Sequence, residues 1–379
     1  MKNVFSITLL AVFALLTISC NDDVTIETYH FTDDEYTTLT QTLDIPRENF
    51  DYTPVTNGGF GSINSSDEFF HKATLGRILF YDPLLSKTGE VSCASCHKQE
   101  NAFADNSKFS TGVNSQIGTR NSLPLGNTIG FIKYYGTDLS FPSGAFAWDE
   151  SKASITDQSL AAIVNPVEMN HDMNSVLDLV KEKDYYQIFF NKAYNGEINE
   201  ANLLDAITTF VNSISSRSSK FDISSSSTFV SNPFPNFTAS ENNGKQLFNS
   251  NCTTCHDRNH NAIVMSEANN GLDMNYADKG VGNLRGPNYN GVFKVPSLRN
   301  IELTGPYMHD GRFNTLEEVV EFYSSGIQNH DNLHYSLKSG NQAKKFNFTE
   351  SQKEDLVAYL KTLTDQELIA EVKYSDPFK

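Results

Sequence analysis

Apolar residues along the chain recur mostly at helical spacing, in stretches separated by long polar segments. The run "DEFFHKATLGRILF" from Asp67 mixes aromatics and leucines at three- and four-residue intervals, and Asp82-Pro83 stops it. Helical patterns return in "ITDQSLAAIVNPVEM" and "MNSVLDLVKEKDYYQIFFNKAY". In "NEANLLDAITTFVNSISS", Leu203, Leu204, Ile207, Phe210, Val211 and Ile214 share one face. A second series follows: "ASENNGKQLFNSNCTTCH", "TLEEVVEFYSSG" and "TESQKEDLVAYLKTL". The last opens on a capping box, Thr349 to Gln352, and carries Leu356, Leu360 and Leu363 on one face. No region is rich in strand patterns. The pattern predicts a mainly α protein with long loops.

The polar stretches set the boundaries. Residues 101–146 are rich in Gly, Asn, Ser and Pro with little periodicity, more loop than an ordinary domain tolerates. The Ser- and Pro-rich run from Ser216 to Phe237 reads as an interdomain linker, placed at 221–238. We expect a first domain over 66–220, a second over 239–365, and a C-terminal tail over 366–379. The segment 20–65, polar and rich in Thr and Asp, reads as a tether, with partial packing as the alternative.

The extreme N-terminus is of another kind. After Met1-Lys2-Asn3 comes an apolar run of 15 residues, Val4 to Ile18. A membrane-crossing helix needs about 20, so residues 1–19 read as a signal peptide. The run ends in Thr17-Ile18-Ser19-Cys20, similar to a bacterial lipoprotein signal with Cys20 as the lipidated residue. The usual leucine stands three before the cysteine, whereas Leu16 stands four before it; simple secretion is the alternative. The reading implies an exported protein, on the periplasmic side or at the cell surface, held to the membrane only by lipid.

The formal charge of −17 argues against nucleic acid and anionic lipid surfaces as partners. It mildly favours a basic redox partner, but an acidic surface is first of all a route to solubility.

The five cysteines supply the chemistry. Besides Cys20 they form two motifs, Cys93-Ala-Ser-Cys96-His97 and Cys252-Thr-Thr-Cys255-His256. A CxxCH motif is a c-type haem attachment site: each thiol bonds one vinyl group of the porphyrin, and the histidine becomes an iron ligand. Zinc is disfavoured, because zinc ribbons place their pairs about 15–20 residues apart and these are more than 150 apart. No cysteine is left for a disulfide. Helix, CxxCH, loops and a terminal helix are the layout of a class I cytochrome c, and it occurs twice. The chain should therefore hold two covalent c-type haems, one in each cytochrome c-like domain.

The segments around these motifs carry a more specific likeness. "LGRILFYDPLLSKTGEVSCASCH", "GTRNSLPLGN", "AFAWDE", "NPVEM", "FKVPSLRNIELTGPYMHDGRF" and "LEEVVEFY" occur in that order. Together they resemble the bacterial dihaem cytochrome c peroxidases and the related MauG proteins, from about Leu75 to about Leu363. The resemblance implies a peroxidatic haem in the first domain and an electron-transfer haem in the second, with His97 and His256 as proximal ligands. It implies Glu168 as the acid–base carboxylate, Gln158 beside it in the peroxide pocket, and Trp148 between the haems. Asn121, with the carbonyls of Thr304 and Pro306, matches a calcium site of hard oxygen ligands. His309 matches a supporting residue.

Two positions point to the MauG-like branch. Where many of these peroxidases have a distal histidine, this chain has Val113, which cannot ligate iron. Where they have an axial methionine, fourteen residues beyond His309, it has Tyr323. Met308, Met274 and Met265 are the alternatives for that ligand. An anionic phenolate favours the oxidised metal, whereas a thioether raises the potential. Three functions follow: peroxide reduction with electrons from a small cytochrome or cupredoxin, MauG-like oxidation of a protein or organic substrate, or, in a different class, dihaem electron carriage without catalysis. An open iron beneath a carboxylate speaks against the carrier. A homodimer is left open.

Overall fold

The computed structural model describes residues 31–47, 50–53, 67–128, 146–227, 233–260 and 265–379. Cys20 and the signal segment lie outside them. Among the described residues the only strands are two-residue antiparallel pairs: β1, Glu267–Ala268, against β2, Phe293–Lys294, and a small hairpin at 338–343. The remainder is helix and loop.

Each unit is organised by a crossing of two helices. In the first, Asp67–Tyr81 packs on Glu200–Ser213. In the second, Ala239–Asn251 packs on Glu350–Lys361. Both crossings are tight because one helix presents a glycine. A Cβ at Gly76 would lie 1.9 Å from the Ala206 carbonyl oxygen, and one at Gly244 would lie 1.9 Å from that of Asp355. Any side chain there would force the backbones apart.

Most expected helices form where the apolar period places them. Leu203, Leu204, Ile207, Phe210, Val211 and Ile214 are all buried. The Thr349 hydroxyl accepts from the Gln352 amide, while the Gln352 side chain receives the Thr349 amide. The segment 173–194 divides into Met173–Lys181 and Asp184–Tyr194. The helix beginning at Ile155 ends at Val164, before Asn165-Pro166, because proline has no amide to continue the ladder.

Three boundaries differ from the sequence reading. Residues within 20–65, expected as a tether, are packed where they are described: Asp33–Leu39 is helical, and Phe31, Leu39, Leu43, Ile45 and Tyr52 enter the first core. The 221–238 linker is not loose either. Lys220–Ser227 is a helix, and Phe221, Phe234 and Phe237 are buried in the second core. Asp222 there forms a buried ion pair with Arg299, Nη2 to Oδ1 at 2.8 Å. The 366–379 tail returns to the first unit. Arg77 Nε donates to the Ser375 carbonyl at 2.6 Å, Tyr81 Oη to that of Tyr374, and Leu43 bridges Phe378. Buried backbone and apolar contacts, not sequence order, decide which unit these segments join.

Candidate haem sites and the bridge between them

In the first unit, Cys93–Cys96 forms one helical turn, so both cysteines and His97 face the same side. His97 Nδ1 lies 2.9 Å from the Phe103 carbonyl and 3.3 Å from Ser122 Oγ. That carbonyl selects the tautomer with its proton on Nδ1, leaving Nε2 with the lone pair an iron ligand needs. Burial lowers the basicity of His97, which keeps the imidazole neutral. Cys93 and Cys96, three positions apart and in no disulfide, stand beside it.

Glu168 shares this environment, because its charge acts on both thiols. Its Oε1 accepts from Asn165 Nδ2 at 2.8 Å. Burial raises its pKa, and the Asn165 bond and the Lys152 charge offset only part of that rise. The Val113 amide donates to the Glu168 carbonyl at 2.8 Å, and the Val113 side chain is buried. Gly112 makes this contact feasible, since a Cβ there would meet the Val167 carbonyl at 2.0 Å. The loop with valine in place of a distal histidine is thus fastened to the carboxylate loop. Gln158, on Ile155–Val164, has its Oε1 buried with no hydrogen-bond partner among the described residues. A buried amide oxygen of this kind fits a wall facing a polar ligand.

In the second unit, a cavity of about 230 Å³ is lined by Cys252, Cys255, His256, Met308 and Tyr323, with Trp148 and Asn121 on its first-unit side. Burial lowers the His256 pKa to about 4, only partly opposed by the Pro296 carbonyl. Tyr323 lies on a π-type turn, 322–326. Asn270 Nδ2 approaches its Oη at 3.5 Å and Met308 Sδ at 3.6 Å. Burial pushes Tyr323 up to about 12, so without a cation at its oxygen the side chain is a neutral phenol; a ferric iron held by His256 would favour the phenolate instead. Of the alternative ligands, Met274 is 61 % exposed and neither it nor Met265 lines the cavity; Met308 does.

On the first-unit wall of this cavity, Trp148 Nε1 donates to the Asn121 carbonyl at 2.8 Å, and the Asn121 amide donates to the His309 carbonyl at 2.8 Å. His309 stacks on Phe293 with ring centres 3.8 Å apart and meets Trp148 edge-on at 6.5 Å. Asn121 spends its Nδ2 on the Ser107 and Lys108 carbonyls, and Thr304 and Pro306 line the same cavity. No group of three or more His, Cys, Asp or Glu forms a metal site among the described residues. A cation here would depend on carbonyl and amide oxygens. Arg120 joins the units across this seam, with Nε on Asp278 and Nη1 on Asp149, each at 2.7 Å.

Two CxxCH turns thus stand each in its own helical unit, with Trp148 and Arg120 at the seam between the units. The di-haem cytochrome c peroxidase family matches residues 70–227, and the cytochrome c family matches residues 241–364. The chain is 30 % identical over 305 residues to the methylamine utilization protein MauG of Methylorubrum extorquens, covering 77 % of this chain and 78 % of that one. The chain belongs to the di-haem cytochrome c peroxidase/MauG family. It is 31 % identical over 303 residues to the cytochrome c551 peroxidase of Nitrosomonas europaea, covering 77 % and 79 %. Among solved structures it resembles a MauG-like protein associated with microbial copper homeostasis, with a TM-score of 0.70 and 28 % identity over 88 % of this chain and 98 % of that one. The protein is a haem c-containing peroxidase oxidoreductase with two cytochrome c-type domains, and its family implies hydrogen peroxide and a redox donor.

The sequence reading missed Asn270, Arg120 and the carboxylate Glu150. Asn270 has no motif. Glu150 directly follows the Trp148-Asp149 pair, and an acid beside a conspicuous lone tryptophan was the available signal.

Proposed function

We propose that this protein reduces hydrogen peroxide at an open iron held by His97, with both haems attached covalently through Cys93/Cys96 and Cys252/Cys255. The haems supply electron transfer to peroxide, for which H₂O₂ plus two electrons and two protons gives two waters. Glu168 takes a proton from the bound peroxide and returns it to the departing oxygen, while Gln158 orients the peroxide. General acid–base help of this kind contributes about 10²–10⁴-fold. Trp148, wedged between Asn121 and His309, relays an electron from the His256/Tyr323 side. The donor is a small cytochrome or cupredoxin.

The observation that carries this reading is the Val113–Glu168 bond. It fastens the loop whose buried valine cannot ligate iron to the loop that carries the carboxylate. Tyr323 in the second cavity supports a second reading, MauG-like oxidation of a protein or organic substrate, because phenolate ligation stabilises oxidising equivalents. Calcium at Asn121, Thr304 and Pro306 would brace the Trp148 seam. The leader and Cys20 support export and lipid anchoring.

Steady-state peroxide consumption, started from the all-ferric protein with a small cytochrome c or cupredoxin as donor, tests this. Turnover without prior reduction is expected. A ferric protein that is inert until half-reduced would overturn the open-iron reading.

A further inference from the structure

Behind Trp148 lies a group of titratable side chains with no part in the peroxide chemistry above. Glu150 is 0 % exposed at its side chain, and its backbone is left-handed at φ 54°. Ala147, on the other side of the tryptophan, is also left-handed at φ 64°. Glutamate rarely adopts that conformation, and strained positions of this type persist where the surroundings over-determine them. The strain aims a carboxyl inward.

That carboxyl meets the β1/β2 ladder. Glu267 and Lys294 are directly opposed in its register, so their side chains share one face. The Glu150 carboxyl lies close to that of Glu267, and both approach Arg285. Two carboxylates this near repel, which favours a proton on one of them. Lys294 is 5 % exposed, and its charge acts on Glu150. The Lys294 amide donates to the Trp148 carbonyl at 2.8 Å, and Lys294 lines the second-haem cavity.

Arg285 closes the group on the outer side, with Nη1 on Glu267 at 2.6 Å and Nη2 3.8 Å from Glu150. Side-chain exposure climbs from 0 % at Glu150 to 15 % at Glu267 and 23 % at Arg285. The group therefore runs from the cavity wall to solvent.

Burial raises the Glu150 pKa, and the Glu267 contact adds to that rise against the opposing charges of Lys294 and Arg285. Burial lowers that of Lys294, opposed by Glu150. The acid and the base are thereby drawn together, which leaves the group close to exchanging a proton near neutral pH.

We propose that Glu150, Glu267 and Lys294 form a redox-linked proton site, taking up one proton from solvent when an electron arrives on the second-haem side and releasing it when that electron leaves. The electron comes from the external donor and the proton travels by way of Glu267, so charge balances at each passage. A buried charge change beside a low-dielectric cavity is otherwise uncompensated. The proposal rests on the dihaem reading but not on peroxide turnover.

The test is the reduction potential of the second haem, measured from pH 6 to 9 in the intact dihaem protein without peroxide. In the wild type the potential should fall as pH rises, tending towards about 59 mV for each tenfold drop in proton activity, the one-electron limit. Glu150→Gln, which keeps a hydrogen-bonding amide, should flatten that dependence while haem content and visible spectrum stay unchanged. Proton uptake on reducing the unmutated protein in weakly buffered solution, followed with a pH indicator, should be a substantial fraction of one per electron. Equal slopes in wild type and Glu150→Gln, or no proton uptake, would overturn the proposal even if peroxide turnover is intact. Absent turnover with the slope difference present would instead sink only the peroxidase mechanism.

Discussion

The amide of Val113 donates to the carbonyl of Glu168 at 2.8 Å, so the loop that lacks a distal histidine and the loop that carries the carboxylate form one unit. The buried Val113 side chain and the Glu168 carboxyl thus ride on loops fastened to each other through backbone. Their consequences can be tested separately.

Glu168→Gln should keep both haems and a near-normal spectrum while slowing peroxide-driven oxidation at least tenfold, within the range for acid–base help, about 10²–10⁴. Burial has raised the Glu168 pKa, so its carboxylate form, the one that takes the proton, accumulates only above the ordinary carboxylate range. The wild-type rate should rise with pH through that group, and the glutamine variant should lose the limb. Stopped-flow traces across pH would show both.

Tyr323 and Met308 both face the second cavity, with Asn270 reaching towards each. With phenolate on the iron, the resting ferric protein should lack the methionine-to-iron charge-transfer band, and Tyr323→Met should raise the potential of the His256 haem by the ligand-charge argument. Asn270→Ala should move that potential too. A methionine band in the wild type would hand the ligand role to Met308.

Trp148→Phe removes the Nε1 donor to Asn121 but keeps an aromatic ring in the seam. The first haem should react with peroxide at its usual rate, while oxidation of the second haem lags behind. Rapid-scan spectroscopy of the two Soret components separates these steps. Simultaneous oxidation in the variant would move the relay elsewhere, with the His309–Phe293 stack the next route to examine.

Asp222 and Arg299 are paired out of solvent, 2.8 Å apart. Burial alone would raise the Asp222 pKa, but Arg299 and Ser219 outweigh it and the net shift is downward. The pair's stabilisation should be fully present above the ordinary carboxylate range and lost as pH falls through the lowered value. Asp222→Ala leaves a buried guanidinium without its partner and should cost about 3–5 kcal/mol in denaturant unfolding at neutral pH.

The haem motifs and the helices of both cores could be read in the sequence, because covalent chemistry and helical period are local signals. Leu203 to Ile214 illustrate the second kind. The long-range contacts could not be read. Phe31 and Tyr52 enter the first core from a stretch whose composition is polar, and Phe221 sits in a Ser-rich run. Gly76 and Gly244 look like ordinary helix-weakening residues until the opposing backbones are seen 1.9 Å from their missing Cβ atoms. The distal pair was half legible: Val113 and Glu168 stand out by resemblance, but their hydrogen bond comes from folding. Glu150, Glu267 and Lys294 are far apart in sequence and meet only through the β1/β2 register and a left-handed turn.

Tyr374, Ser375 and Phe378 complete the first unit from beyond the second, on Tyr81, Arg77 and Leu43. The chain therefore passes from the first unit into the second and back again, so the second unit is enclosed between two segments that both belong to the first. Substitutions at 374–378 should consequently loosen the core around Cys93 and Cys96 while leaving the packing of Ala239–Asn251 on Glu350–Lys361 intact.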